Sequence, residues 1–389
     1  MVESHYWIWM QQLFGIGTAR SDEILSRFDS PKEIYDMNRE ELVASSCFTS
    51  GEIEKIMSTT LEKAKAAVEK ARKLGAKILT PDCENYPIRL RNIYSPPLTL
   101  YILGELPDVD TNLSIAMVGT RKCTKYGEVT AKKISEELAE AGVIIISGLA
   151  VGIDAISHQA AIDKGKKTIA VIGSGIDNDY PIANLSIRRK IIEGNGAIVT
   201  EFMPGIIPNP FNFPMRNRII SGLSSGIIVV EAAKRSGTLI TAGHALSQDR
   251  DVFAVPGSIY KEMCEGSNML IKQGAKLVTC GADVLDEYSL YYNYILKPLD
   301  KTLVQEEETP EQMTLIKSET QKITKKKVAP PPYLNQEQLL VFNTISDGEK
   351  TSEEISEILD VPINVVLSIL TELEIFGAIK TISGRKFTV

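Results

Sequence analysis

Histidine and cysteine are scarce in this chain of 389 residues, which has three histidines and five cysteines. The cysteines are far apart and form no C-x-x-C pair, which is typical of free thiols in a reducing cytoplasm and not of a disulfide scaffold or a zinc site. So few histidines also argue against a histidine-rich metal centre. We therefore predict a cytoplasmic protein that holds neither a metal nor another cofactor.

Long apolar runs are also missing. No stretch of 18 apolar residues occurs, and no basic segment precedes an apolar core at the N-terminus. We expect neither a membrane span nor a signal peptide.

The chain as a whole has no excess of positive charge, since its net charge is −7. Residues 114–260 nevertheless hold 16 Lys and Arg against 13 Asp and Glu, so the remaining residues carry −10. This distribution fits one localised basic groove and argues against a basic coat over the whole surface.

The length and the 43% apolar content predict two to three domains with well-packed cores. Residues 1–75 show helical periodicity, which predicts a small helical domain of the SAM-like or helix-hairpin-helix-like kind. Gly15 and Gly17 lie between two helical stretches. Either they form a turn whose amides approach a DNA phosphate, or they form a plain tight turn between packed helices.

An α/β pattern predicts the central domain, residues 76–297. Short apolar runs at 114–118, 143–146, 168–172, 197–200, 227–230 and 252–255 read as buried strands, with helical segments such as 128–141 and 239–246 between most of them. Residues 77–80 and 98–102 read as short strands at the edge of the same sheet. The pattern favours a doubly wound α/β sheet.

Glycine-bearing turns follow four of these strands. They are G-T-R at 119–121, S-G-L-A-V-G at 147–152, G-S-G at 173–175 and S-G-T at 236–238. In doubly wound sheets ligands bind outside the carboxyl ends of the strands, where helix N-termini offer free N–H groups to anions. We therefore expect an anion-binding crevice at this edge.

The stretch 212–224 places Phe213 beside Arg216 and Arg218. Arginine forks bind phosphate oxygens, and an aromatic ring stacks on an unpaired base. The alternative is a core phenylalanine with two arginines in structural ion pairs. If the backbone here is helical, the two arginines cannot face one groove, and one would bind phosphate while the other anchors the fold. If the backbone is extended, the two arginines share a face.

These motifs together resemble the DNA-processing protein A (Smf) family. The resemblance spans residues 77–288 and rests on V-G-T-R at 118–121, Y-G at 126–127, S-G-L-A-V-G-I-D at 147–154 with His158, F-P-M-R-N-R-I-I-S-G-L-S at 213–224, S-G-T-L-I-T-A at 236–242, V-F-A-V-P-G at 252–257 and G-S-N-M-L-I at 266–271. It implies an extended Rossmann-like fold, a homodimer, and binding of single-stranded DNA. It also implies protection of incoming DNA and loading of the RecA recombinase during natural transformation.

The candidate DNA contacts lie in the glycine-bearing turns and in the stretch around Phe213. They are Gly119, Thr120, Arg121, Lys122, Phe211, Phe213, Arg216, Asn217, Arg218, Ser236, Gly237 and Thr238.

Two positions depart from the family pattern. Relatives usually carry a lysine where this chain has Pro210, so a phosphate contact is lost there or supplied from elsewhere, and the ring of Phe211 could add stacking. Asp249 stands where a glycine is common, which puts the backbone geometry of that turn in question.

The C-terminal part divides into two segments. Residues 298–334 combine charge runs with three consecutive prolines, which predicts a flexible linker. Residues 335–389 show three helical stretches followed by two extended ones, a pattern that resembles a winged helix. With nine acidic and four basic residues, this domain is as consistent with protein docking as with DNA reading.

The rival function is a Rossmann-like hydrolase or transferase acting on a nucleotide, with S-G-T at 236–238 holding a phosphate. Asp154 and His158 stand four residues apart on a predicted helix, a spacing more typical of a surface pair than of a catalytic dyad. The sequence has no Walker P-loop, no G-x-G-x-x-G on a first strand and no tight carboxylate cluster. We therefore predict that the protein is not an enzyme.

Overall fold

The computed structural model describes residues 3–292, 336–346, 348, 350–359, 361–375, 378–382 and 386–388. The chain divides into two compact units, Met1–Leu303 and Val304–Val389. The predicted linker at 298–334 lies outside the described residues.

The first unit opens with helices and continues as an α/β sheet. Its helices are α1 Ser4–Phe14, α2 Arg20–Leu25, α3 Pro31–Asp36, α4 Arg39–Ala44, α5 Ser50–Ser58, α6 Glu62–Lys73, α7 Ile88–Arg91, α8 Lys125–Glu140, α9 Ile153–Asp163, α10 Leu185–Lys190, α11 Asn212–Gly222, α12 Gly237–Ser247, α13 Glu262–Lys272 and α14 Gly281–Tyr292. Its strands are β1 Lys77–Leu79, β2 Leu100–Gly104, β3 Ser114–Val118, β4 Ile144–Ser147, β5 Thr168–Val171, β6 Gly196–Thr200, β7 Gly226–Val229, β8 Asp251–Ala254 and β9 Lys276–Leu277. A 3₁₀ turn, Ile182–Asn184, precedes α10, and a π-helical turn, Ile191–Asn195, follows it.

The nine strands form one sheet in the order β1-β2-β6-β5-β4-β3-β7-β8-β9. The strands from β6 to β9 in this order run parallel, while β1 and β2 pair antiparallel at the edge. The six predicted buried strands and the two predicted edge strands are all present, with ends that differ by no more than two residues. The chain builds outward from β3 to one side and then returns to add β7 on the other side. A sheet of this kind leaves a crevice where the order reverses.

The central strands, β3 to β7, are buried and mostly apolar because both faces of the sheet are covered there. Successive side chains point to opposite faces, so that Ile115 and Met117 pack beneath α8, α9 and α14, while Ala116 and Val118 pack beneath α11, α12 and α13. Each face thus has its own core, and the sheet places the ends of its strands rigidly.

The N-terminal helices share a core with the sheet. Ile8 and Trp9 of α1 are buried in the same cluster as Tyr101 of β2 and Ile198 of β6. The glycine turn after α1 has positive φ at Gly15 (+88°) and at Gly17 (+68°). A Cβ on Gly17 would lie 3.3 Å from Nε of Arg218, so this turn packs against α11. That packing favours a tight turn between packed helices over a turn that faces a phosphate. The predicted domain boundary at residue 75 stays a prediction.

The second unit contains α15 Gln336–Ser346, β10 Lys350–Thr351, α16 Ser352–Leu359, α17 Ile363–Ile375, β11 Lys380–Ile382 and β12 Lys386–Thr388. Its three strands pair antiparallel in the order β10-β12-β11, and the three helices enclose a small core around Phe342 and Leu370. Three helices and two final extended segments follow the predicted pattern. The assignment as a winged helix remains a proposal.

Among the residues that the structure describes, no helix combines the length and the apolar character needed to cross a membrane.

Candidate nucleic-acid interface

A groove of about 610 Å³ lies at the carboxyl ends of the central strands, where the strand order reverses. Its walls come from the turn after β3, the start of α9, the segment before α11, α11 itself and the first turns of α12. A smaller adjoining cavity of about 130 Å³ adds Gly148, Gly173 and Ser174. All four glycine-bearing turns therefore meet at one edge, as the sequence predicts.

Nine of the twelve candidate DNA contacts line this groove. They are Gly119, Thr120, Arg121, Phe213, Arg216, Asn217, Ser236, Gly237 and Thr238. The other three candidates, Lys122, Phe211 and Arg218, are absent from its wall.

Arg121 and Phe213 meet across the groove. The guanidinium carbon of Arg121 lies 5.3 Å from the centroid of the Phe213 ring, within cation–π distance. The ring of Tyr180 lies 6.0 Å from that of Phe213 at an interplanar angle of 35°. Arg121 and Tyr180 are exposed and Phe213 is half-buried, so an incoming ligand can reach all three side chains. We call them the Arg121–Phe213–Tyr180 cluster.

Gly173 makes room for this cluster. A Cβ at that position would lie 2.9 Å from Cδ1 of Phe213, closer than real Cβ contacts. A side chain at this position, just after β5, would displace the ring, so glycine here favours the observed position of Phe213.

Arg216 forms part of the groove wall although its side chain is buried. Its Nη1 donates to the carbonyl oxygen of Gly148 at 2.8 Å and to that of Val171. Gly148 allows this approach, because a Cβ there would lie 2.7 Å from both Nη2 of Arg216 and Oδ2 of Asp154. Burial lowers the pKa of Arg216 to about 10, and the charge of Asp154 acts in the opposite direction. Arg216 therefore stays protonated at neutral pH.

Asp154 and His158 are both buried, so the prediction of a surface pair is wrong. Oδ2 of Asp154 accepts from the N–H groups of Gly148 (3.2 Å) and Ala150 (3.3 Å), and burial raises the pKa of this carboxyl while Arg216 lowers it. Nδ1 of His158 lies 2.7 Å from the hydroxyl of Thr168.

The hydroxyl of Thr168 donates to the carbonyl oxygen of Ile145, so Nδ1 of His158 carries the hydrogen. Burial first and Arg216 second lower the pKa of His158 to about 3, which keeps the imidazole neutral. His158 is not part of the groove wall, and Asp154 and His158 therefore do not form a catalytic dyad there.

Arg218 anchors the fold. Because α11 is helical, Arg218 faces away from Arg216, and its Nη2 donates to both carboxylate oxygens of Glu201 at 2.7 Å. Both side chains are buried, and Gln11 of α1 donates to the backbone carbonyl of Glu201 at 3.0 Å. This ion pair ties α11 to the end of β6 and to the N-terminal helices.

Lys122 and Phe211 are exposed beside the groove. The Phe211 side chain is 80% exposed and precedes α11, while Lys122 follows Arg121 in the turn after β3. That Lys122 and Phe211 contact DNA stays a prediction, and it applies to a DNA strand long enough to extend beyond the groove.

Sequence reasoning missed Tyr180 and the place of Asp154 in the groove wall. Tyr180 comes a few residues after the G-S-G turn at 173–175. An aromatic residue so close to a predicted groove turn was the feature of the sequence that could have identified it. Pro210 also lines the groove, so the family lysine it replaces would point to the same space. Asp249 has φ of +55°, so the turn keeps the left-handed conformation that a glycine adopts more easily.

Within the described residues, no group of three or more His, Cys, Asp or Glu side chains is placed to hold a metal ion.

Comparison with known proteins agrees with this fold. The sequence model of the family described as DNA recombination-mediator protein A matches residues 77–289. The DNA processing protein DprA of Streptococcus pneumoniae (strain ATCC BAA-255 / R6) is 48% identical over 208 residues, which cover 53% of this chain and 72% of that protein. Protein Smf of Synechocystis sp. is 36% identical over 281 residues, covering 71% of this chain and 70% of that protein.

A solved structure shows the same architecture. The X-ray structure of DNA processing protein A from Streptococcus pneumoniae superposes with a TM-score of 0.64 at 36% identity, over 74% of this chain and 99% of that one. The family model covers more than half of the chain, and the matched range includes every residue that lines the groove. The chain belongs to the DNA recombination-mediator protein A family.

Proposed function

We propose that this protein binds single-stranded DNA in the groove, protects DNA that enters the cell, and passes it to the RecA recombinase during natural transformation. The observation that carries the proposal is the Arg121–Phe213–Tyr180 cluster at a crevice built from helix N-termini. The family description, a recombination mediator, and the name of the pneumococcal relative, a DNA processing protein, support the biological context.

The cluster favours single strands over duplex. Stacking of a base on an aromatic ring stabilises a complex by about 1–3 kcal/mol per base, and only an unpaired base has a free face to offer. The half-buried ring of Phe213 and the exposed ring of Tyr180 give two such surfaces. The forked guanidinium of Arg121 stands beside them, where the phosphate of the same nucleotide can reach it.

Binding without catalysis is the form of the proposal that the groove supports best. Asp154 is the one acidic residue in the described wall, and its carboxylate accepts two backbone N–H groups. His158 is buried outside the groove and holds its proton on Nδ1 toward Thr168. A hydrolase would need a general base facing its substrate.

The first experiment compares labelled single-stranded and blunt duplex DNA of equal length by fluorescence anisotropy. We expect tighter binding of the single strand, and an affinity that falls as salt rises through counterion release. Equal or tighter binding of the duplex contradicts the proposal. A nucleotide hydrolysis assay on the same preparation, with and without DNA, tests the rival enzymatic function.

The C-terminal unit is proposed to be dispensable for this binding. It forms a compact unit of its own, and residues 335–389 carry nine acidic against four basic residues. Deletion of 335–389 should leave a folded protein whose affinity for single-stranded DNA changes by less than tenfold, about 1.4 kcal/mol. A larger loss of affinity would show that the proposed winged helix contributes to DNA binding.

A homodimer and a cytoplasmic location complete the proposal. Sedimentation equilibrium of the purified chain measures the oligomeric state. A single species at twice the mass of 42.8 kDa is the expected result.

A further inference from the structure

We infer that the groove contains a pocket for a phosphomonoester, the group that a 5′-phosphorylated DNA strand carries at its end. The inference rests on the proposed function and adds a preference for strand ends. The pocket, which we call the α12 pocket, is formed by Ser236, Gly237, Thr238 and Thr241 at the start of α12.

The backbone supplies the first donors. α12 is a helix of eleven residues whose first turn opens into the groove. The N–H groups of Gly237 and Thr238 have no backbone partner within the described part of the chain. Free N–H groups and the positive end of the helix dipole stabilise an anion.

Three hydroxyl groups supply the second, independent observation. Thr238 is 9% exposed and Thr241 is 2% exposed, and both line the groove. Among the described residues, neither hydroxyl has a hydrogen-bond partner, and the buried Oγ of Ser236 has none either. Buried hydroxyls are normally paired, so the unpaired Oγ of Ser236, next to the unpartnered hydroxyls of two groove-lining threonines, points to a ligand with several acceptor oxygens.

The number of donors favours a monoester over an internal diester. The pocket offers two N–H groups and three hydroxyls, whereas a phosphodiester has two non-bridging oxygens and a single negative charge. A monoester has three terminal oxygens and a charge of about −1.5 to −2 at neutral pH. Arg216 adds a protonated group in the same groove, with an Nε that has no partner among the described residues.

The space fits a terminal nucleotide. A groove of about 610 Å³ lies within the size range of small-ligand sites. The ring of Phe213 and the α12 pocket line the same groove, so a strand that stacks a base on the ring can place its 5′-terminal phosphate on the helix. A Cβ on Gly237 would meet no atom within 4 Å, which leaves the entrance to the pocket open.

The test uses thymidine oligonucleotides of about eight nucleotides that carry a 5′-phosphate, a 5′-hydroxyl or a 3′-phosphate. Anisotropy titration of the full chain should show the 5′-phosphorylated strand binding about tenfold more tightly than the 5′-hydroxyl strand, the effect of one charge-assisted hydrogen bond. The 3′-phosphorylated strand should bind like the 5′-hydroxyl strand. Equal affinity for the three strands, or an equal gain from a 3′-phosphate, overturns the inference and leaves the proposed function intact. Failure of all three to bind contradicts the proposed function itself.

Variants connect the preference to the pocket. Thr238→Val keeps the side-chain volume and removes a hydroxyl, so the ratio of 5′-phosphate to 5′-hydroxyl affinity should fall at least threefold. Ser236→Ala provides a second variant with the same expected direction. Ser247→Ala, at the other end of α12, is the matched control and should leave the ratio unchanged. A ratio that stays at its original value in both pocket variants overturns the inference.

Competition separates the two sources of a phosphomonoester. If thymidine 5′-monophosphate displaces the bound strand and thymidine does not, the pocket binds a free nucleotide. Displacement only by 5′-phosphorylated strands assigns the pocket to DNA ends.

Discussion

Arg121→Ala should weaken the binding of single-stranded DNA more than any exposed substitution outside the groove. The Arg121 guanidinium contacts the face of Phe213, and it makes no hydrogen bond or ion pair to the described residues. Its N–H donors are therefore available to a phosphate. A charge-assisted hydrogen bond contributes about 1.5–3 kcal/mol, so the dissociation constant should rise roughly 10–150-fold.

The same substitution should leave the fold almost unchanged. An exposed cation–π contact contributes about 0.5–1 kcal/mol, and exposed substitutions elsewhere change the free energy of unfolding by about 0.5 kcal/mol or less. Urea denaturation of Arg121→Ala should therefore give a free energy of unfolding within about 1 kcal/mol of the parent protein.

Lys122→Ala is the matched control. Lys122 is the next residue, carries the same charge and is equally exposed, but it is not part of the groove wall. Both variants lower the net positive charge of the turn by one, so a difference between them isolates the contact made inside the groove. We expect Lys122→Ala to cost less than about 1 kcal/mol of binding, the range of an exposed ion pair.

Anisotropy titrations at several salt concentrations complete the measurement. Loss of one phosphate contact on a single strand should reduce the slope of log affinity against log salt by about 0.7. An Arg121→Ala protein that binds with parental affinity and slope would show that Arg121 does not contact DNA and that the groove is misplaced. An Arg121→Ala protein that unfolds would show that this arginine has a structural role.

Three further predictions concern the groove and the helix behind it. Arg218→Ala should lower the free energy of unfolding by about 3–5 kcal/mol in urea denaturation, because it leaves Glu201 charged and unpaired in the core; a loss below 1 kcal/mol would contradict the anchoring role. Gly173→Ala should weaken single-strand binding by about 1 kcal/mol in anisotropy titrations, because the new methyl group displaces the ring of Phe213; unchanged affinity would mean that the ring does not stack on DNA. Pro210→Lys should tighten binding and steepen its salt dependence by about one unit of slope, and a parental slope would place residue 210 outside the path of the strand.

The sheet was predictable because its signal is local. A strand buried on both faces reads as a continuous apolar run, and each run found in this way corresponds to a strand of the structure. Once the strands are predicted, the turns that follow them can be placed together, because parallel strands have their carboxyl ends at one edge of the sheet. This reasoning brings six candidate residues, those of the turns at 119–121 and 236–238, to one groove without any knowledge of side-chain positions.

The roles of the two arginines of α11 could not be predicted in the same way. The sequence shows that Arg216 and Arg218 diverge if the segment is helical, but not which of them faces the groove. That choice depends on Glu201, which lies 17 residues away at the end of β6 and captures Arg218. Asp154 and His158 were misjudged because helix α9 is covered on more than one side, and spacing along the chain contains no information on burial.

The burial of Arg216 explains how an acidic protein can hold the proposed site for a polyanion. The guanidinium of Arg216 is fixed by the carbonyl oxygens of Gly148 and Val171, and its pKa of about 10 keeps it charged at neutral pH. Low-dielectric surroundings strengthen its interaction with a phosphate in the groove and shield that interaction from salt. Salt screens Arg121 at the surface, and it also screens any charge farther from the groove than the Debye length of about 8 Å in physiological salt. The potential inside the groove therefore depends mainly on the charged groups that line it, Arg121, Arg216 and Asp154, and less on the overall charge. The salt dependence of binding should then correspond to few phosphate contacts.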